Sequence, residues 1–111
     1  MTAQVLTTNT QSTVDGVPNH AVGRVVSDGG VAETQTFTVG FTPRVVRWHN
    51  LTDRISDEWF EGMAADSALE TAANGTRTLE TSGGVTVSTG TFAVDSTLVV
   101  ASKTFAWECI G

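Results

Sequence analysis

The feature that most constrains the fold is a succession of short segments rich in threonine and valine, separated at close intervals by glycine-containing turns. Both residue types are β-branched, and they favour the pleated, half-buried surface of a sheet over a helix. Many short strands at close spacing are typical of an antiparallel sandwich or a small barrel. The sequence therefore predicts an all-β domain, a small β-sandwich or barrel of seven or eight short antiparallel strands.

The β pattern begins at residue 20. The segments His20–Val26 and Val31–Val39 flank a loop at 27–30 whose glycines favour a hairpin. Arg44–Asn50 and Ser56–Glu61 flank a second turn and predict another strand pair. Further strands are expected at Arg77–Glu80, Val85–Ser88, Thr91–Val94, Thr97–Val100 and Lys103–Ile110, with turns at 82–84 and 89–90.

Two segments depart from this pattern. Met63–Ala73 is the helix candidate, because its alanines have good helix propensity, although a loop with a single turn fits equally well. Residues 1–20 are polar and threonine-rich without sustained alternation, and they predict an extended N-terminal arm before a β domain at 21–111. Val5 and Leu6 give the arm apolar side chains to bury on a neighbouring subunit, whereas a frayed terminus is the alternative interpretation.

The length, charge and hydropathy of the chain limit the kinds of partner that we expect it to bind. The chain has 111 residues, which is the size of one domain, and its net charge is −6. Its six basic residues are scattered rather than clustered, so we expect no nucleic-acid partner. The N-terminus lacks the pattern of a signal peptide and no apolar run is long enough for a membrane span, so we expect no membrane partner. Cys109 cannot form an intrachain disulfide, and its strand-like setting indicates a small apolar core side chain.

The search for chemical motifs predicts no enzyme and no cofactor. The two histidines, His20 and His49, lack a nucleophile-elbow motif and are expected to be solvated or hydrogen-bonded. Neither the Cys and His spacings of a zinc site nor the spacing of an EF-hand is present. The densest acidic cluster predicts a solvated hairpin edge with local ion pairs, and a calcium site or an acidic docking patch is the alternative. This cluster comprises Asp53, Asp57, Glu58 and Glu61.

Aromatic residues supply the candidate interface. Most of the eight tryptophan and phenylalanine side chains are expected in the core, but the acids around Trp59 and Phe60 indicate that one of these rings lies at a rim. A tryptophan with arginines nearby has the composition of a contact hot spot. The predicted protein-interface residues are Val5, Leu6, Arg47, Arg54, Trp59 and Glu61.

Three stretches of the chain, 40–54, 58–63 and 74–87, resemble a family of small tailed-bacteriophage virion proteins. They read GFTPRVVRWHNLTDR, EWFEGM and NGTRTLETSGGVTV, and the likeness extends over about residues 40–111 without the arm. Members of that family are encoded among the head genes and resemble capsid decoration or cement proteins. The resemblance implies an all-β fold, no enzymatic activity and attachment to a capsid lattice, often as trimers at or near threefold positions. It carries no catalytic residue over to this chain.

The function expected from these observations is that of a virion structural protein. It would bind the outside of a phage capsid, with the major capsid protein as partner and a homotrimer as its own assembly, after synthesis in the host cytoplasm. A tail or head–tail neck component is the first alternative, and a carbohydrate-binding β module is the second. A small hydrolase is the least favoured, and no small-molecule substrate is expected.

Overall fold

The computed structural model describes residues 19–111, which contain eight β-strands. The predicted arm, including Val5 and Leu6, lies outside these residues except at its last two positions, and β1 already begins at His20. No helix in the described part of the chain is long and apolar enough to cross a membrane. The strands are β1 (His20–Val26), β2 (Gln35–Thr38), β3 (Val45–Asn50), β4 (Ile55–Phe60), β5 (Ser67–Thr71), β6 (Arg77–Ser88), β7 (Thr91–Val94) and β8 (Thr104–Ile110).

All eight strands belong to one antiparallel sheet in the order β1-β8-β3-β4-β5-β6-β7-β2. The sheet curls into a half-barrel, which brings Phe37 of β2 to within 5.6 Å of Trp107 of β8, measured between ring centroids. Five strands separate β8 from β2 in the sheet order, so only strong curvature can produce this contact. The all-β prediction is confirmed, with a single curled sheet in place of two packed ones.

The core lies on the concave face and is built from aromatic rings. Trp48 stacks on Phe105 with centroids 4.9 Å apart, and Phe92 contacts both Phe37 and Trp107 at 5.1 Å. Side chains alternate along a strand, so Arg47 and Glu108, which directly adjoin Trp48 and Trp107, point to the convex face. The prediction that most aromatic residues are buried is therefore confirmed for this cluster.

Trp107 requires a glycine on the neighbouring strand. Gly23 of β1 is its cross-strand partner in the register, and the indole ring lies across the backbone there. A Cβ atom at position 23 would overlap the ring atoms Cε2 and Cζ2. This close approach explains a glycine in the interior of a strand, where it would otherwise weaken the sheet.

The predicted hairpin between the first two strands is wrong. β1 pairs with β8 and β2 pairs with β7, so the two segments form opposite edges of the sheet. The glycines of the loop at 27–30 do not adopt positive φ, and Asp28 instead accepts a hydrogen bond from the Gly30 N–H at 2.9 Å. Long-range pairing with the C-terminal strand outweighs the local turn signal.

The helix candidate is also wrong, because its centre is β5. Ala68 is fully buried between β4 and β6, where a small side chain fits the crowded sheet. The preceding loop is held by the carbonyl of Ala64, which accepts hydrogen bonds from Trp59 Nε1 (3.2 Å) and Ser67 Oγ (2.6 Å). Sheet pairing on both sides overrides the helix propensity of the alanines.

The expected turn at 82–84 lies inside one long strand, β6. Ser67 pairs with Val85 while Ala68 pairs with Glu80, so the intervening residues of β6 form an irregularity. The carboxylate of Asp66 accepts hydrogen bonds from the N–H groups of Gly83 and Gly84, both at 3.1 Å. A Cβ at Gly84 would overlap the backbone of Ser67, so the glycine signal marks a bulge rather than a reversal.

The strand expected at Thr97–Val100 is a loop that packs onto the concave face. Asp95 accepts hydrogen bonds from both the N–H (3.0 Å) and the hydroxyl (2.9 Å) of Thr97, which turns the chain there. Leu98 accepts a 3.4 Å hydrogen bond from Trp48 Nε1 through its carbonyl, and Val99 is buried. Apolar side chains in this loop therefore complete the core without joining the sheet.

The expected β3–β4 hairpin and the tight turn at 89–90 agree with the structure. The pair predicted from Arg44–Asn50 and Ser56–Glu61 is β3 with β4, in register from Val45 opposite Phe60 to Asn50 opposite Ile55. The tight turn at 89–90 joins β6 to β7 as predicted.

Candidate protein-binding surface

Within the described range, the first strand has a sheet neighbour on one side only. Backbone hydrogen bonds run from Gly111 N to Asn19 O (2.8 Å) and from Ser27 N to Lys103 O (2.9 Å). In an antiparallel pair these bonds recur at every second residue, so the odd-numbered residues of β1 bond to β8. The N–H and C=O groups of the even-numbered residues point to the open edge. These residues are His20, Val22, Arg24 and Val26.

The last strand of the sheet order, β2, forms the second open edge. Val39 donates its N–H to Gly90 O at 2.9 Å, which places the odd-numbered residues of β2 in the hydrogen-bonded pairs with β7. Thr36 and Thr38 therefore direct their backbone groups outward. The curled sheet thus presents two unpaired edges among residues 19–111.

The β1 edge carries exposed apolar side chains. Val22 is 67 % exposed and Val26 is 62 % exposed, and Val31 in the following loop is 92 % exposed. Natural sheets usually protect an edge with lysine, proline, inward-pointing charge or a covering loop. Here Arg24 is the one arginine or lysine on β1. Such an edge can accept an additional strand from a partner.

Five polar side chains, His20, Glu108, Arg47, Glu58 and Arg77, form a chain of contacts across the convex face. His20 Nε2 lies 2.7 Å from Glu108, and Arg47 contacts both Glu108 and Glu58 at 3.3 Å. Arg77 reaches the same Glu58 at 3.5 Å. The hydrogen bond with His20 and the charge of Arg47 lower the pKa of Glu108. Each exposed pair contributes little stability, but together they order the charges on this face.

A shallow apolar hollow of about 330 Å³ lies at one end of the convex face. Val45, Phe60 and Ile110 line it from three adjacent strands, and the ion pair between Arg44 and Glu61 (3.1 Å) borders it. Asn19, where the described chain begins, bonds to the C-terminal Gly111 at the same end.

Of the residues predicted for the interface, Val5 and Leu6 lie outside the described range, and the other four do not form one cluster. Arg47 lies on the convex face, Arg54 is exposed in the β3–β4 turn with a φ of 60°, and Glu61 pairs with Arg44. Trp59 is only 5 % exposed and packs in the core, so Phe60 is the ring that lies at the surface. Whether these residues contact a partner stays a prediction.

The histidines occupy separate places on the convex sheet. His20 contacts Glu108 as described above, and His49 Nδ1 lies 3.0 Å from Ser56 Oγ on β4. Both are hydrogen-bonded, as the sequence predicts, and no acid contacts His49 among residues 19–111. Cys109 is buried beside β1, and this burial raises the pKa of its thiol.

The four acids that are close together in the sequence lie at different places on the sheet. Asp53 pairs with Lys103 (3.2 Å), which is distant in sequence, and Glu58 and Glu61 form the ion pairs described above. Asp57 instead points into the concave face, where it is 2 % exposed and its Oδ1 atom has no hydrogen-bond partner. The expectation of a solvated residue is wrong for Asp57.

Sequence reasoning missed the neighbours of Asp57. Glu70 lies directly opposite it on β5, and Glu80 on β6 lies diagonally from Glu70. Burial, the charge of Glu70 and a hydrogen bond with it, and the charge of Glu80 raise the pKa of Asp57 to about 7. Alternation within β4 could have marked Asp57 as inward-facing, but the segment that contains Glu70 was predicted as a helix or a loop rather than as the partner strand.

No three His, Cys, Asp or Glu side chains of the described chain are placed to hold a metal ion. Comparison with known protein families, curated proteins and solved structures finds no match to this chain.

Proposed function

We propose that this chain is a structural protein that acts by binding other protein subunits, as a decoration or cement protein on the outside of a phage capsid. The observation that supports it most is the pair of open sheet edges, one of them lined by exposed valines. Main-chain groups at such an edge give affinity by strand addition, and flanking side chains give specificity.

The energetics of a lattice fit this role. A cement protein contacts many identical subunits, so modest single contacts add up to strong attachment through multivalency. Each contact needs on the order of 1,000 Å² of buried surface to persist. The β1 edge, the convex hollow and residues 1–18 are the parts of the chain proposed to provide it, with Val5 and Leu6 buried on a neighbouring subunit.

The experiment that tests this proposal blocks one edge without damaging the sheet. Val22→Pro removes an N–H that points away from β8, so no hydrogen bond within the sheet is lost. Val22→Thr is the matched control, because it keeps the N–H and a similar shape. Thr36→Pro tests the β2 edge in the same way.

Binding is measured by co-sedimentation with shells assembled from the major capsid protein encoded by the same genome. We expect at least one proline variant to bind about tenfold more weakly, the change that about 1.4 kcal/mol produces, while Val22→Thr binds normally. Full binding by both proline variants would remove the edges from the mechanism. Deleting residues 1–18 should leave a folded domain that no longer binds the shells.

The number of copies of this protein in each purified phage particle distinguishes a cement protein from a tail or neck component. Hundreds of copies per particle support a lattice position, whereas a dozen or fewer support the neck. Light scattering of the free protein tests the proposed homotrimer directly.

A further inference from the structure

The convex hollow has a continuous apolar floor. In the register of the sheet, Val45 lies directly between Phe60 on β4 and Ile110 on β8. Phe60 is 37 % exposed, although the neighbouring part of the convex face carries the charged pairs described above. Adjacent apolar side chains in contact with water favour an apolar cover, because burial removes their surface from water.

The described chain begins at the border of this hollow. Gly111 is one of the lining residues, and its N–H donates a hydrogen bond to the carbonyl of Asn19 at 2.8 Å. His20 lies directly opposite Ile110 in the β1–β8 register, and its side chain is on the convex side, where it contacts Glu108. Since strand side chains alternate, the position two residues before His20 belongs to that same side. The chain that precedes Asn19 therefore enters beside the hollow and on the correct face.

The sequence before Asn19 matches the hollow in chemistry and in reach. The two residues directly before Asn19 are Val17 and Pro18, and both are apolar. β8 and β4 are two strand spacings apart, about 10 Å, and an extended residue advances by about 3.3 Å, so a few residues cross the hollow. The volume of about 330 Å³ is about ten times the roughly 30 Å³ that one water molecule occupies, which leaves room for both side chains.

We propose that Val17 and Pro18 of the same chain cover the convex hollow, with Pro18 over Ile110 and with Val17 against Val45 and Phe60. This contact directs the preceding residues across the convex face towards β4, away from the open β1 edge, which stays accessible to a partner strand. A partner at this end of the convex face would then contact residues 1–18 and the rim of the hollow together. The inference concerns one chain alone and does not depend on the proposed capsid partner.

NMR on the full chain tests this contact directly. We expect nuclear Overhauser effects between the methyl groups of Val17 and the ring of Phe60 in a uniformly labelled sample. A mixture of labelled and unlabelled protein shows only effects between different chains, and we expect none there between these two residues. Effects from Val17 to Val22 on the β1 edge in place of Phe60, effects only between chains, or no effects at Phe60 would overturn the inference.

Substitutions test whether the contact stabilises the domain. Val17→Ser should lower the equilibrium constant for folding about fivefold in urea denaturation, the change that about 1 kcal/mol produces. Val5→Ser is the matched control, because it makes the same replacement farther from Asn19 and should change nothing. Equal effects of the two serine substitutions would count against the contact.

A double-mutant cycle then assigns the effect to the hollow. In a Phe60→Ala background, Val17→Ser should lower the equilibrium constant for folding by less than twofold, since the floor against which Val17 packs has been removed. Leu79→Ala is the control background, because Leu79 is also an exposed apolar residue but lies on β6, outside the hollow. The full fivefold effect should remain there. An undiminished effect in the Phe60→Ala background would show that Val17 does not pack on the hollow. Neither measurement involves capsid shells, so their outcome is separate from that of the proposed function.

Discussion

The buried carboxyl of Asp57 makes the stability of this domain depend on pH in a defined direction. Its pKa is raised from 3.8 to about 7 in the folded chain, first by burial and then by Glu70 and Glu80. Below about pH 4 the group is protonated in both the folded and the unfolded states, so it has no effect. Between about pH 4 and pH 7 the folded state holds a proton that the unfolded state releases, so the stability falls as the pH rises.

The size of this effect follows from the shift. About three pH units at about 1.4 kcal/mol each give a penalty of up to about 4 kcal/mol, fully present above pH 7. Sharing of a proton with Glu70 reduces the part that belongs to Asp57 alone. A penalty of even half this size is a large fraction of the stability of a small domain.

Asp57→Asn tests this reasoning, because asparagine has the shape of the protonated side chain. The free energy of unfolding is measured by urea denaturation with tryptophan fluorescence between pH 4 and pH 8. We expect the variant to match the wild type within about 1 kcal/mol at pH 4 and to exceed it by about 2–4 kcal/mol at pH 8. Glu33→Gln is the control for a change in net charge. A difference between Asp57→Asn and wild type that does not grow with pH would refute the explanation.

Three further predictions concern the packing of the sheet. Gly23→Ala should lower the free energy of unfolding by about 1–3 kcal/mol, because the new methyl group overlaps the ring of Trp107; an unchanged urea midpoint would contradict it. Gly84→Ala should destabilise by a similar amount through its clash with the backbone of Ser67, and wild-type thermal unfolding in this variant would disprove that. Cys109 should resist alkylation at pH 8 until denaturant is added, since the thiol is buried and its pKa is raised, and rapid labelling of the folded protein would show otherwise.

Local sequence patterns predicted those elements whose partners are adjacent in the chain. The β3–β4 hairpin and the turn at 89–90 follow from alternation and turn residues alone. The pairing of β1 with β8 and of β2 with β7 depends on contacts far apart in sequence, which turn signals cannot supply. The glycines after β1 therefore predicted a hairpin that the fold does not contain.

The errors elsewhere have the same physical origin. The alanines around Ala68 predict a helix locally, yet a small buried side chain is equally suited to a crowded sheet. Gly83 and Gly84 indicated a break in the strand pattern, which was predicted as a turn. Pairing with β5 makes this break a bulge within β6. Asp57, Glu70 and Glu80 come together through the register of β4, β5 and β6, and the segment of β5 was predicted as a helix or a loop, so these carboxylates could not be associated from the sequence.

The central claim is that partners bind at an open sheet edge, and amide hydrogen exchange on shell-bound protein tests it most directly. The outward N–H groups of β1 and β2 exchange readily if nothing pairs with them, and an added strand protects them. We predict slower exchange in peptides that cover 20–26 or 35–38 when the protein is bound to capsid shells. Unchanged exchange in both peptides, with protection confined to other surfaces, would contradict the claim.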